Sequence, residues 1–298
     1  MKKILVTGGL GHIGSYLIEK LSKDYELVVV DNFLTQRYCS LFDIPNPIHF
    51  IEKDFNEIST HELENVDVVI HLAAITDAAG SFHRNEDVEK INLRTTKTFI
   101  DKCEESGCQV IFPSSTSVYG VASDIVTEDD DKFLNPQSPY AESKIEIEKY
   151  IKETVSSYLI LRFGTIFGNS KGMRFHTAIN KFCYEAALGK PLTIWKENFK
   201  HYRPYLGLGD AIRAFRFFLE KDIRNQTFNI LSGNWMLKEV VDQINKHKKV
   251  ELKMVDTPLL NQFSYHVSDE KARKIGWKSK DKLEDAIPLT LHKLRNLQ

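Results

Sequence analysis

Three glycines at three-residue spacing directly follow the first apolar run of the chain, and they limit its fold more than any other feature. The run Lys2–Val6 has strand character, Gly8, Gly11 and Gly14 come next, and a helical pattern starts at Ile13. Glycine permits a tight turn out of the strand, close approach of the backbone to a phosphate, and close packing of the helix. The free N–H groups and the dipole of the helix start then face the anion. The pattern predicts a dinucleotide-type βαβ unit with a phosphate-bearing ligand.

An acidic residue at the end of the second predicted strand narrows that ligand. The run Glu26–Val30 is typical of a buried strand, and Asp31 ends it. A carboxylate at this position accepts the ribose hydroxyls of an adenosine and repels a 2′-phosphate, which favours NAD over NADP. Asp54 ends the third strand, where it either reaches the adenine edge or has no functional role, since acids are common at strand ends. The predicted cofactor contacts are Gly8, Gly11, His12, Ile13, Gly14, Asp31, Asn32, Asp54, Phe55, Leu72, Ala73, Ala74, Tyr140 and Lys144.

Strand and helix patterns alternate over the first half of the chain, which predicts an α/β fold with a Rossmann-type doubly wound parallel sheet. We expect residues 1–168 to form the NAD-binding domain, with later segments returning to it, and 169–298 to form mainly a smaller, interleaved substrate-binding region. Further strands are predicted at 49–53, 67–72, 109–112, 158–162, 192–195, 227–229 and 251–255, and helices at 13–23, 87–105, 138–153, 175–188, 210–220, 237–246 and 282–297.

Composition excludes several classes of function. The 298 residues carry a net charge of −1, so no overall field favours nucleic acid. No apolar run reaches the length of a membrane span, and we expect no signal peptide, because the first predicted strand starts directly after Met1. The four cysteines lack C-x-x-C spacing, and the histidines form no H-E-x-x-H, so we expect neither a metal nor a disulfide framework. A cytoplasmic location fits this pattern.

The most specific chemical signal is Tyr140 four residues before Lys144, because residues four apart share one helix face. A nearby cation lowers the pKa of a tyrosine toward the range in which it acts as a base. Ser138 followed by Pro139 marks the helix start, whose positive end favours the tyrosine anion further. The hydroxyl run that includes Ser115 follows the fifth strand, at the edge where open α/β sheets hold ligands.

These motifs together resemble the extended short-chain dehydrogenase/reductases, in particular the nucleotide-sugar epimerase/dehydratase group. The motifs are Thr7-Gly8-x-x-Gly11-x-x-Gly14, Asp31, His71-Leu72-Ala73-Ala74, Ser114-Ser115-x-x-Val118-Tyr119-Gly120, Tyr140-x-x-x-Lys144, 162–168, 203–210 and Lys271-Ala272 with Gly276-Trp277. The resemblance runs along nearly the whole chain. It implies that Ser115, Tyr140 and Lys144 are catalytic and that Tyr140 takes the proton of a sugar 4-hydroxyl while hydride passes from C4 to NAD.

The resemblance also implies substrate contacts at Thr76, Ser115, Thr116, Thr165, Arg174 and Arg203. Arg203 matches a residue that grips the nucleotide diphosphate, a task that suits a bidentate guanidinium. Arg174 precedes a predicted helix start, where anions bind readily, and either takes part in this grip or has no such role. The late arginine that usually holds the diphosphate is not evident between Thr257 and Val267, which leaves the nucleotide open.

Departures from the family pattern narrow the chemistry. Its 4,6-dehydratases carry an Asp-Glu pair where this chain has Thr116 and Ser117, so dehydration is disfavoured, and decarboxylation less strongly. We therefore expect an NAD-dependent nucleotide-sugar 4-epimerase acting on a UDP-hexose. The alternatives are a 4-dehydrogenase or 4-keto-reductase, and a non-catalytic NAD-binding sensor. Relatives in the family often form homodimers through helices near 92–105 and 138–153, where Phe99, Ile145 and Ile147 are either interface or core.

Overall fold

The computed structural model describes residues 1–76, 86, 88–120, 125–256 and 265–297. Its strands are β1 Lys3–Thr7, β2 Glu26–Asp31, β3 His49–Glu52, β4 Val68–His71, β5 Gln109–Ser115, β6 Ile125–Val126, β7 Tyr158–Phe163, β8 Thr165–Phe167, β9 Leu192–Trp195, β10 Tyr202–Gly207, β11 Gln226–Ile230, β12 Gly233–Met236, β13 Leu252–Val255 and β14 His266–Val267. Its α-helices are α1 His12–Leu21, α2 Thr60–Leu63, α3 Thr96–Glu105, α4 Pro139–Thr154, α5 Ala178–Ala187, α6 Leu208–Lys221, α7 Leu237–His247, α8 Glu270–Lys274 and α9 Leu283–Lys293.

A seven-stranded parallel sheet forms the centre of the described chain, in the order β11-β7-β5-β4-β1-β2-β3. The order reverses beside β1, and the carboxyl ends of β1 and β4 lie side by side there, with Thr7 paired to His71. Open α/β sheets bind ligands at such a switch point. The predicted Rossmann-type α/β fold is confirmed.

Alternation along the strands explains why both faces of the sheet are covered. Ile4 and Val6 point to one face and pack with α1 and α6, whereas Leu5 points to the other and packs with α3 and α4. Side chains alternate across a strand, and a strand buried on both faces is therefore apolar throughout. Helices packed on both faces hold the strands in place, so a site built from residues at the strand ends has a fixed geometry.

The later part of the chain divides between the central sheet and a smaller region. Strand β11 joins the central sheet next to β7, and α6 packs on the same face as α1. The strands β12, β10 and β8 form a separate sheet, and β9 pairs with β13. Helices α5, α7 and α9 share a third apolar cluster with these strands. Segments of the later part of the chain thus alternate between the central sheet and the smaller region.

Several predicted elements end or begin elsewhere; the helix predicted over 282–297, for example, ends at Lys293. Strand β5 continues past Phe112 through Pro113 to Ser115, because it stays paired with β7 to its end. Its pairing with β4 on the other side stops at Ile111. A proline is tolerated where the ladder is one-sided. The helix predicted from Asp87 is π-helical over Val88–Thr95 before α3 begins, and Asp87 itself lies outside the described residues. Strands β6, β8, β10, β12 and β14 and helices α2 and α8 were not predicted.

The apolar positions left open between core and interface belong to the core. Phe99 and Ile147 are buried under the central sheet, and Ile145 is buried in a smaller cluster with Tyr119. They therefore offer no free surface to a second subunit. Within the described residues, no helix is both long enough and apolar enough to span a membrane.

Candidate functional site

A cavity of about 650 Å³ lies along the carboxyl ends of the central strands and extends into the smaller region. It brings together residues that lie far apart in the sequence, from Gly8 to Tyr265. Nearly all predicted site residues line it: Gly8, Gly11, His12, Ile13, Gly14, Asp31, Asn32, Asp54, Phe55, Leu72, Ala73, Ala74, Thr76, Ser115, Tyr140, Lys144, Thr165, Arg174 and Arg203.

The glycine turn is built against its neighbours. Gly8 has a φ of +64°, and a Cβ there would come within 2.7 Å of the Ala73 nitrogen. A Cβ on Gly14 would come within 2.5 Å of the Gly9 carbonyl oxygen. The third glycine therefore lets the helix pack against the turn itself, not against the strand as expected. Helix α1 has no side-chain cap at Gly11, so its first N–H groups face the cavity uncapped and suit a pyrophosphate.

Asp31 links the end of β2 to the glycine turn. Its two carboxylate oxygens accept hydrogen bonds from the backbone N–H groups of Leu10 and Phe33, each at 3.0 Å. Each oxygen keeps a further lone pair for a ribose hydroxyl. Together with the uncapped start of α1, this donor and acceptor set fits an adenine dinucleotide.

Asp54 caps the short 3-10 turn that follows β3. Its carboxylate accepts hydrogen bonds from the Asn56 N–H at 3.2 Å and from the Asn32 side chain at 2.8 Å. Both Asp54 and Asn32 also line the cavity. A contact with the adenine edge stays a prediction.

The loop after β8 closes over the glycine turn, and sequence reasoning missed it. Ser170 donates to the His12 carbonyl at 2.8 Å, and the Gly172 N–H donates to the Ser15 hydroxyl at 3.0 Å. A Cβ on Gly172 would lie 2.4 Å from the Leu10 carbonyl oxygen, so only glycine fits this crossing. Burial lowers the pKa of His12 to about 4, although its ring is hydrogen-bonded to the Gly168 carbonyl. His12 is therefore neutral at pH 7.

Helix α4 presents Tyr140 and Lys144 to the cavity as predicted from their spacing. The Ser138 side chain accepts a hydrogen bond from the Ala141 N–H at 3.2 Å, and Pro139 occupies the first turn. Lys144 Nζ donates to the Pro113 carbonyl at 2.9 Å and lies 4.3 Å from the Phe112 ring centroid. The Ser115 hydroxyl is near enough to the Tyr140 phenol to affect its pKa. The three predicted catalytic side chains thus meet at the end of β5.

The expected lowering of the Tyr140 pKa by Lys144 is not observed. Burial raises the pKa of Tyr140, while the nearby Ser115 hydroxyl and the charge of Arg174 oppose this rise. Burial also lowers the pKa of Lys144 to about 8, with Glu148 acting in the opposite direction. The Lys144 ammonium is directed at the Pro113 carbonyl, which explains why it does not act on the phenol in this state.

A neutral histidine forms the floor near Lys144. His71 at the end of β4 is fully buried, and burial lowers its pKa to about 3, with the charge of Lys144 adding to the effect. Its Nδ1 lies 2.8 Å from the Thr7 hydroxyl oxygen. The charge of Lys144 therefore acts on an uncharged imidazole, which lies at the end of the strand that precedes Ala73 and Ala74.

The substrate-facing part of the cavity carries two arginines. One Nη of Arg203 is buried with no hydrogen-bond partner among the described residues, and the guanidinium lies 5.3 Å from the Tyr265 ring centroid. An unpaired buried donor is costly, which indicates that an anion completes it. Arg174 donates to the Thr76 hydroxyl, so it lies beside the loop that follows β4.

One predicted substrate residue does not reach the cavity. Thr116 is buried, and its hydroxyl donates to the Phe163 carbonyl at 3.3 Å, because the 3-10 turn after β5 directs it into the protein. Ser117, one residue later, lines the cavity instead. Sequence reasoning also missed Trp195, Tyr205 and Tyr265; the position of Trp195 at the end of a predicted strand was the available signal. Across the described residues, no group of three potential ligands is placed to hold a metal ion.

Comparison with known proteins places this geometry in a family. The model of the NAD dependent epimerase/dehydratase family matches residues 4–230. A Bacillus subtilis protein described as an uncharacterized UDP-glucose epimerase, YtcB, is 31% identical, with 76% of each chain covered. An Arabidopsis thaliana trifunctional enzyme named first as a UDP-glucose 4,6-dehydratase is 27% identical over 97% of this chain and 46% of its own length. The chain thus spans about half the length of that relative.

Solved structures extend the similarity to nearly the whole chain. The UDP-glucuronic acid 4-epimerase of Bacillus cereus, in complex with UDP-glucuronic acid and NAD, is 26% identical, with a TM-score of 0.85 and coverage of 99% of this chain and 100% of its own. The family match, the uncapped start of α1 and the Asp31 carboxylate agree on the same cofactor. The chain belongs to the NAD dependent epimerase/dehydratase family, within the extended short-chain dehydrogenase/reductases, and NAD is its cofactor.

Proposed function

We propose that this chain is a nucleotide-sugar 4-epimerase that acts on a UDP-hexose. The observation that carries the proposal is the meeting of Tyr140, Ser115 and Lys144 between the dinucleotide half of the cavity and the half lined by Arg174 and Arg203. This is where a sugar hydroxyl must lie if its diphosphate reaches the arginines. The B. subtilis and B. cereus relatives, both described as epimerases, support the same reaction.

The side chains divide the work of proton transfer and binding. Tyr140 takes the proton of the 4-hydroxyl, and Ser115, which is near the Tyr140 phenol, holds the same sugar oxygen. NAD, when bound, accepts the hydride of C4 and later returns it. Lys144 is anchored by the Pro113 carbonyl and supplies positive charge next to the ring of Tyr140, 5.8 Å from its centroid. Arg203 and the start of α5, which has no side-chain cap, bind the diphosphate.

The turn after β5 argues against water elimination. Thr116 and Ser117 stand where the family's 4,6-dehydratases have an acid pair, and Thr116 is turned away from the cavity. The hydroxyls of these two residues cannot replace the acid pair as general acid and general base for elimination at neutral pH. The dehydratase reaction in the name of the Arabidopsis relative is therefore not the one we assign.

The alternative enzyme is a 4-dehydrogenase or 4-keto-reductase with the same residues, which releases its product after one hydride transfer. A non-catalytic NAD-binding sensor is disfavoured by the intact Ser115, Tyr140 and Lys144. A thermal-shift panel of UDP-, GDP-, CDP- and dTDP-sugars, followed by product analysis of each hit, tests the proposal. A 4-epimer without net NADH supports it; accumulation of NADH with substrate identifies the dehydrogenase.

Three further expectations remain part of the proposal. We place the NAD-binding domain at residues 1–168 and the nucleotide-sugar-binding region mainly at 169–298. We propose a homodimer in the cytoplasm, without nucleic-acid or membrane partners, on the resemblance to the family. Because Phe99, Ile145 and Ile147 are core, the contacts of that dimer lie on other side chains. Light scattering of the purified protein measures the oligomeric state.

A further inference from the structure

Ser117 lies beside the proposed catalytic residue Ser115 and forms two hydrogen bonds with its hydroxyl. The Ser117 backbone N–H donates to Ser115 Oγ at 3.2 Å, and the two hydroxyl oxygens are 2.9 Å apart. Ser115 caps the 3-10 turn after β5, and its side chain accepts from the residue two positions later, as is usual for a serine turn. Both side chains line the cavity, so the pair belongs to the site as well as to the turn.

The protons and lone pairs of the two hydroxyls limit what Ser115 can do. A hydroxyl has one proton to donate and accepts through two lone pairs. Among the described residues, the Ser117 hydroxyl bonds to Ser115 alone, so its proton is used only if it donates to Ser115. The backbone N–H of Ser117 can only donate. Both lone pairs of Ser115 Oγ are then occupied, and its own proton is available to a third group.

The group nearest to that proton in the described structure is the phenol of Tyr140. Burial raises the pKa of Tyr140 and the Ser115 hydroxyl lowers it, which is the effect of a donor that favours the phenolate. Thr116, between the two serines, takes no part, because its hydroxyl donates to the Phe163 carbonyl at 3.3 Å. Ser117 is therefore the residue of this turn that determines the direction of the Ser115 hydroxyl.

We propose that Ser117 is a positioning residue that fixes the Ser115 hydroxyl as a hydrogen-bond donor, so that the sugar 4-hydroxyl gives its proton directly to Tyr140. This step rests on the proposed function, because it places the 4-hydroxyl at Tyr140, whereas the direction of the bond between the serines does not. Ser115 has no lone pair left to accept the proton, which passes from O4 to the phenolate oxygen as the hydride leaves C4. O4 thereby becomes a carbonyl oxygen, which only accepts, and Ser115 stabilises it by donation.

Titration of Tyr140 in the NAD-loaded protein tests the direction of this bond without any sugar. The phenolate is followed by its ultraviolet absorbance, as the difference between each protein and its Tyr140→Phe counterpart. In Ser117→Ala, a lone pair of Ser115 becomes available to the proton of the neutral phenol. The pKa of Tyr140 should therefore rise by about one unit, the equivalent of one hydrogen bond. Ser117→Thr keeps the hydroxyl and should keep the native pKa.

The surroundings of the phenol are otherwise constant across these proteins. Its charged neighbours are Lys144 on α4, with Nζ 5.8 Å from the ring centroid, and Arg174 in the loop after β8. Thr116→Ala is the matched control, because it removes a hydrogen bond from the same turn without changing either serine. It should lower the free energy of unfolding and leave the pKa of Tyr140 unchanged. A purely structural role of Ser117 would make Ser117→Ala behave like this control.

Turnover gives a second readout. Ser117→Ala should lower kcat about tenfold with little change in KM, and it should have no further effect in protein that already carries Ser115→Ala. An unmoved Tyr140 pKa in Ser117→Ala, a Ser117→Thr protein that behaves like Ser117→Ala, or equal effects of Ser117→Ala with and without the Ser115 hydroxyl would overturn the inference. If the pKa moves as expected but no sugar nucleotide yields a 4-epimer, the proposed function fails and the role of Ser117 in directing Ser115 stands.

Discussion

Lys144 donates a hydrogen bond from its buried ammonium to the carbonyl of Pro113, with Nζ and O 2.9 Å apart. The bond fixes the second half of the Tyr140–Lys144 pair to the end of β5, next to the strand residue Ser115. Pro113 has no backbone N–H to donate, but its carbonyl oxygen remains available and accepts the hydrogen bond from Lys144. The catalytic helix and the central sheet are thus locked together at the site.

Removing the Tyr140 hydroxyl should remove the proposed base without emptying the site. We expect Tyr140→Phe to lower kcat for the 4-epimerisation by about a hundredfold or more, the usual contribution of a positioned general base. Bound NAD, measured by absorbance after denaturation, should be retained, since Gly11, Asp31 and Lys144 are unchanged. Full activity in this variant would show that another group takes the proton.

The acidic limb of the pH–rate profile should depend on Arg174. Burial raises the pKa of Tyr140 and Arg174 opposes the rise, so the phenolate fraction grows with pH and kcat/KM for UDP-glucose should grow with it. Arg174→Met should move this limb to higher pH, and Arg174→Lys should move it less. Lys181→Met, a control on the ion-paired lysine of α5, should leave the limb where it is. An unmoved limb in Arg174→Met would contradict the assignment.

The glycine turn should reject even one methyl group at Gly14. Gly14→Ala places a Cβ 2.5 Å from the Gly9 carbonyl oxygen, which forces the cofactor-binding turn to shift. We expect loss of copurified NAD. Gly107→Ala is the control: its φ of +72° is strained, but a Cβ there meets nothing within 4 Å. Its cost is about 1–2 kcal/mol of stability, and its NAD content should match the native protein. Equal NAD content in both variants would count against the packing argument.

Breaking the ion pair behind the catalytic helix should be costly. Glu148 and Arg162 are almost fully buried, with Oε2 and Nη2 2.6 Å apart, and Arg162 also donates to the Tyr119 hydroxyl at 2.9 Å. Glu148→Gln leaves a buried guanidinium without its counter-charge and should lower the free energy of unfolding in urea by about 3–5 kcal/mol. Breaking the exposed pair of Asp24 with Arg216 by Asp24→Asn should cost less than about 1 kcal/mol. Similar losses in the two variants would refute this.

Stability should fall as the pH drops from 7 to 5. Burial lowers the pKa of His12 to about 4 and that of His71 to about 3, so between these values and 6.5 the unfolded chain binds more protons than the native one. Each histidine should therefore cost about 2 kcal/mol between pH 7 and pH 5. His71→Asn should reduce the slope of unfolding free energy against pH by about one proton. A slope shared by native and variant protein would show that His71 does not titrate on unfolding.

The sequence predicted the dinucleotide half of the site well, because parallel strands place their last residues at one edge. The residues Gly8, Asp31 and Ala73 lie at the ends of three strands that are neighbours in the sheet, so their meeting is dictated by the topology. The sequence did not predict that Thr116 faces the protein interior, because the direction of its side chain depends on the geometry of the 3-10 turn after β5. The prediction that Lys144 lowers the pKa of Tyr140 was wrong. Their spacing places both side chains on one face of the helix, but it does not determine where the ammonium of Lys144 points.

The substrate half was less predictable for a physical reason. Its wall is built from short strands such as β10, which contains Pro204 and ends at Gly207, and neither residue is typical of a strand. Arg203 and Tyr265 come from segments far apart in the chain and meet only through the small sheet. No local pattern encodes such a contact.

The central claim is that hydride leaves C4 and returns to the same sugar. UDP-hexose labelled with deuterium at C4 tests it most directly, with the product analysed by mass spectrometry and NMR. The account predicts a 4-epimer that keeps its deuterium at C4, with no net NADH. Loss of the label to solvent, or a 4-keto product with stoichiometric NADH, would contradict it.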